Sequence, residues 1–104
     1  MTVFRVRLDM PRVKRHAGLL LACLLQGSRA RVCSQWDLRA ELAKAEVAYP
    51  AVPSVEGRDY LVEHGLLVRV PMAGTEYYRL NLDRLDEARG LVGEVLAYEL
   101  RRAS

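Results

Sequence analysis

The stretch from Tyr60 to Leu82, "YLVEHGLLVRVPMAGTEYYRLNL", limits the fold more than any other part of the chain. Its first residues read as the end of a helix, and Gly65 supplies the left-handed stop. Two β-rich runs, "LLVRV" and "EYYRLNL", then flank "PMAGT", which predicts a hairpin turning near Ala73-Gly74. Tyr77 and Tyr78 must point to opposite faces of that hairpin, one inward and one toward a partner or solvent. Upstream, Ser54 can cap a helix running to His64, with Val55, Leu61 and Val62 on its apolar face. Gly57 lies four residues before Leu61, on the same face. It would let this helix approach a neighbour closely, at a propensity cost of about 1 kcal/mol relative to Ala.

The other elements follow from periodicity. Val13, Ala17, Leu20 and Leu24 recur at helical spacing after Pro11, while Leu19, Leu21, Cys23 and Leu25 widen the stripe almost all round. A helix apolar on most sides belongs in the centre of a domain. Gly27-Ser28 ends it. "RVC" at 31–33 can add one rung to a sheet. Ser34 and Asp37 form an approximate capping box for a helix from about Gln35 to Val47, with Trp36, Leu38, Leu42 and Ala45 as candidate packing residues; Trp36 reads first as core and second as support for an interface. Pro50 and Pro53 bracket a turn. Residues 2–9, "TVFRVRLD", alternate Phe4, Val6 and Leu8 with Arg5, Arg7 and Asp9, the period of a half-buried strand or an arm. The chain closes on a helix from Asp83 to Arg102. Its two stripes, Leu85–Val92–Leu96–Leu100 and Leu91–Val95–Tyr98, serve either a partner helix or burial against the first helix. Gly90 and Gly93 would allow such a partner, here a second copy, to come close.

A chain of 104 residues is expected to make one domain, residues 1–104. Its net charge of +3 is unevenly spread: residues 1–31 hold seven cations against Asp9, so the remainder is acidic. A basic end on an acidic domain suggests an anionic partner, with a solvated surface as the plainer reading. Cys23 and Cys33 lie among apolar neighbours and read as buried thiols of a cytoplasmic protein. The run Ala17–Leu25 imitates a signal peptide, but it comes late and falls far short of the roughly 20 residues that cross a bilayer. His16 and His64 are isolated and read as surface or capping residues, and no metal spacing is present. No carboxylate pair, Cys–His or Ser–His arrangement and no phosphate loop can be placed, so neither enzymatic activity nor a cofactor is expected.

The order helix, short strand, helix, helix, hairpin, helix over roughly residues 12–82 resembles the winged helix-turn-helix superfamily, an α+β fold. The glycine–leucine step and tyrosine-bearing return strand of "YLVEHGLLVRV…TEYYRLNLDRLDEA" are similar to those of bacterial regulators of the ArsR and MarR type. The metal-binding cysteines of the arsenic-type sensors have no counterpart. In such regulators the third helix enters the major groove and the hairpin touches the backbone. The resemblance therefore implies that Ser54, Val55, Glu56, Arg58 and Asp59 face the bases of duplex DNA, with Arg58 alone able to grip guanine. That helix is acidic, however, and Met72–Glu76 at the hairpin tip offers no cation. Two expectations follow. The protein regulates transcription by contacting DNA through Arg5, Arg7, Arg12, Lys14, Arg15, Arg29 and Arg31, with Ser34 and Gln35 donating to phosphate at a helix N-terminus. Alternatively, it is a protein-binding adaptor or inhibitor of a phage or mobile-element kind, whose acidic helix meets a basic surface.

Overall fold

A computed structural model describes residues 10–27, 31–48 and 54–103. The strand or arm expected at 2–9, with Arg5 and Arg7, lies outside the described residues, as do Arg29 and the turn between Pro50 and Pro53. Within them the chain forms four helices and a three-stranded antiparallel sheet. The elements are α1 (Arg12–Leu25), β1 (Cys33–Ser34), α2 (Gln35–Ala48), α3 (Ser54–Glu63), β2 (Leu67–Met72), β3 (Thr75–Leu80), a 3-10 turn (Leu82–Arg84) and α4 (Leu85–Ala103).

Helix α1 occupies the centre because its apolar residues face almost every direction. Ala17, Leu19, Leu20, Leu21 and Leu24 are all buried, against Leu38 and Leu42 of α2, Leu61 of α3, Leu67, Tyr78 and Leu80 of the sheet, and Ala88, Leu91 and Val95 of α4. Removing one of these leucines costs about 2–5 kcal/mol, lost transfer energy plus the cavity left behind. Two glycines set the helix spacing. A Cβ on Gly57 would lie 3.1 Å from the His16 carbonyl carbon, so α3 rests backbone to backbone on α1. A Cβ on Gly18 would come within 2.3 Å of a Val95 methyl, so α4 presses on the opposite side.

The end of α3 is held by its sequence as the glycine implied. Gly65 has φ +71°, Leu66 N–H donates to Leu61 C=O at 2.8 Å and Gly65 N–H to Val62 C=O at 3.1 Å, the paired bonds of a Schellman stop. Asn81 Nδ2 donates to Gly65 C=O at 2.7 Å, while Asn81 Oδ1 accepts from Asp83 N–H at 3.1 Å. One side chain thus ties the end of α3 to the start of α4.

In the sheet, β3 lies between β1 and β2. Leu67 pairs with Leu80 and Met72 with Thr75, leaving Ala73 and Gly74 as a two-residue loop. Both have positive φ, 48° and 78°, so the turn has the hand that suits a twisted hairpin. The single rung expected from "RVC" is realised one residue later, with Cys33 opposite Tyr78 and Ser34 opposite Tyr77. Tyr78 is buried and Tyr77 half-buried, on opposite faces as period two requires.

Two expectations need correction. Trp36 does not pack in the core; it is 73% exposed. Leu38 and Leu42 face inward, and a residue two positions before Leu38 sits about 200° round the helix, on the outside. His16 is not a surface residue; it is 1% exposed, beneath α3. Of the two stripes on α4, left open between a partner helix and burial, Leu91 and Val95 are covered, Val92 and Leu96 are partly covered, and Leu100 is 72% exposed. Among the described residues no helix is long and apolar enough to cross a membrane.

Candidate functional site

The site begins with the corner between β1 and α2. Ser34 N–H donates to Asp37 Oδ2 at 2.9 Å, and Asp37 N–H donates to Ser34 Oγ at 3.1 Å, a reciprocal capping box. The backbone and hydroxyl bonds of Ser34 hold the Asp37 carboxyl below its ordinary value. This cap fixes the first turn of α2 and so directs Trp36 outward. Arg39, one turn later, places its guanidinium 5.5 Å from the indole centroid. Cation–π stacking of this kind is worth about 0.5–1 kcal/mol at an exposed site and stiffens both side chains.

Beside Trp36 runs an open groove of about 310 Å³, lined by Ser34, Gln35, Trp36, Arg58, Thr75, Glu76 and Tyr78. Helix α2 forms one wall and the hairpin the other, with α3 supplying Arg58. The Arg58 guanidinium lies 5.2 Å over the Tyr78 ring and donates twice to Asp59 Oδ1, at 3.1 and 3.0 Å. Tyr78 OH donates to Glu76 Oε2 at 3.2 Å, and burial pushes this phenol above its ordinary pKa. The groove therefore offers an indole face, a carboxylate and an arginine whose charge is already answered.

The cations singled out from sequence are spread over three interfaces instead of one patch. Arg12 pairs with Glu56 of α3 at 2.7 Å. Lys14 pairs with Glu94 of α4 at 2.7 Å, and Arg15 grips Glu99 of α4 through two nitrogens. Arg31 pairs with Glu41 of α2 at 2.8 Å, and that hydrogen bond holds the Glu41 carboxyl below its ordinary value against the opposing effect of burial. Arg58 pairs with Asp59, not with Glu56 or Glu63. Ser34 is committed to its cap, and Gln35 is exposed beside Trp36. Ser54 opens α3, though its side chain lies outside the described residues. The acidity of α3 thus has a structural account: Glu56 answers Arg12 and Asp59 answers Arg58, and only Glu63 has no ion pair among the described residues.

Beneath α3 lies a group no periodicity argument singled out. Neither ring nitrogen of buried His16 has a hydrogen-bond partner, nor does Glu56 Oε2, which lies 3.6 Å from His16 Nδ1. Burial, then the neighbouring Arg15, holds this imidazole below the ordinary histidine value. His64, by contrast, is exposed, stacks on the Tyr60 ring at 3.9 Å and meets Tyr60 C=O at 2.8 Å, a capping role. Both cysteines are free thiols, and burial raises both above their ordinary pKa, which disfavours the reactive thiolate. Among the described residues no group of three His, Cys, Asp or Glu is placed to hold a metal ion. No family model matches this chain, and neither a curated protein nor a solved structure is significantly similar to it.

Proposed function

We propose that the chain is a winged-helix protein of the cytoplasm that recognises another protein through the face made by the start of α2, the outer side of α3 and the hairpin. The element order from α1 to β3 supports the winged-helix part of this reading. The observation that carries the rest is Trp36, 73% exposed on the rim of the groove. Leaving an indole in water is unfavourable, and tryptophan is the residue most enriched among side chains that dominate protein–protein binding energy. Val55 and Met72, each 44% exposed, add apolar area on the adjoining α3 and hairpin. Apart from Arg39, the charged groups of the groove are already paired, Arg58 with Asp59 and Glu76 with Arg69 and Tyr78, and aromatic and methionine side chains with few free charges are the composition of an interface core. Association of two copies through α4 belongs to the same proposal, since nothing lies within 4 Å of a Cβ added at Gly90 or Gly93.

Duplex DNA is the second reading, and Arg39 favours it. This arginine is exposed at the start of α2, stacked on Trp36, and has no carboxylate partner among the described residues. Exposed pairs such as Arg12–Glu56 are also worth at most about 1 kcal/mol and exchange readily for phosphate. Because Trp36 is the only tryptophan, its fluorescence reports directly on the groove. Duplex DNA titrated at low salt is expected to leave that emission unchanged. A change that disappears steeply as salt rises, with a slope set by the phosphates contacted, would replace the protein reading with the DNA one.

A further inference from the structure

The contact between α1 and α3 has a weak point at its centre. His16 is buried with both nitrogens unsatisfied, and an unsatisfied buried polar group costs about 1–3 kcal/mol. It sits where α3 rests on the backbone of α1, one residue before Ala17 and beneath Gly57, whose Cβ position is 3.1 Å from the His16 carbonyl oxygen. The charged groups facing the ring are Arg12 and Arg15 on its own helix and Glu56 on α3. Arg15 is itself held by Glu99 of α4. Glu56 is likewise held by Arg12 through its other oxygen. A proton on His16 would therefore make a third cation beside one free carboxylate oxygen, 3.6 Å away and without a hydrogen bond to it.

We infer that the α1–α3 contact is an acid-sensitive latch: uptake of one proton by His16 releases the first turn of α3, with Val55 and Glu56, from α1. The ring is held neutral in the closed form and regains ordinary basicity in the open one, so the closed form binds fewer protons. The latch is fully closed above the ordinary histidine value of about 6.5 and loosens as pH falls through it. One proton of this kind lowers the closed-to-open ratio by up to about tenfold between about pH 7.5 and about pH 5.5. The device acts on the face proposed for recognition, yet it does not depend on what that face binds.

Hydrogen exchange of the native protein at those two pH values, corrected for intrinsic rates, tests it. Amides of α3 around Leu61 are expected to lose close to tenfold in protection, while those of α4 around Val95 hold to within about twofold. His16→Met is expected to abolish the response, and His64→Gln to keep it. Equal loss in α3 and α4, loss below twofold in α3, or an undiminished response in His16→Met would each overturn the latch. Should His16→Met not fold, the two histidine ring signals of the wild-type protein decide. The His16 ring is expected to move only as α3 opens; a His16 ring that titrates in step with His64 while α3 stays protected would overturn the proposal.

Discussion

At the scale of single residues, position and conformation outweigh chemical type. Ala73 has φ 48°, a left-handed conformation that costs an L-residue with a Cβ about 1–2 kcal/mol. Asparagine tolerates that region and forms the favoured Asn-Gly pair of a two-residue hairpin turn. Ala73→Asn is therefore expected to raise the unfolding free energy by about 0.5–1 kcal/mol, read from chemical denaturation; no gain would mean that the turn conformation is different. Trp36 and His16 make the same point in reverse. The indole looks like a core residue and stands in water, while the imidazole looks like a surface residue and lies in the interior. The Trp36 outcome was available from helical geometry, since it is two positions from Leu38. The His16 outcome was not, because it depends on α3 closing over α1, and nothing local marks that.

At the scale of elements, the legible features were those encoded within a few residues. The Schellman stop at Gly65, the turn at Ala73-Gly74 and the Ser34–Asp37 box each rest on backbone preferences that act locally, and each was placed from the sequence. What pairs with what across elements was not legible. Arg12, Lys14, Arg15 and Arg31 read as one basic end, yet their carboxylate partners come from α3, α4 and α2 and lie 44, 80, 84 and 10 residues away in the chain. Charge counted along a sequence cannot show that it has been spent in tertiary contacts. The cap also carries a prediction at this scale. Ser34→Ala removes the acceptor for Asp37 N–H and is expected to cost about 1 kcal/mol of stability. It should also red-shift and broaden Trp36 emission by loosening the first turn of α2. A stable variant with unchanged emission would detach Trp36's orientation from the box.

At the scale of the whole molecule, two hydrogen-bonded carboxylates and the buried histidine lend the fold two separate responses to acid. Asp37 and Glu41 are held below their ordinary values in the folded chain. Their stabilisation is present above the unfolded carboxylate range of about pH 4 and is lost as pH falls through and below it. The His16 response lies higher. Thermal unfolding across pH is thus expected to show two declines, of which His16→Met removes only the upper; loss of both together would mean that they are not independent.

The grip on α1 has one last consequence. Gly18 receives Val95 and the backbone at His16 receives Gly57, so a single turn of the central helix is pinched from two sides, with no room for a side-chain carbon at Gly18 and little at Gly57. Drift in the sequence is then free almost everywhere on the surface but nearly closed at positions 18 and 57. A methyl group would force α4 off α1 at position 18 and shift α3 by a few tenths of an ångström at position 57, and distant descendants of this chain should be recognisable by those two bare positions long after the arginines have changed.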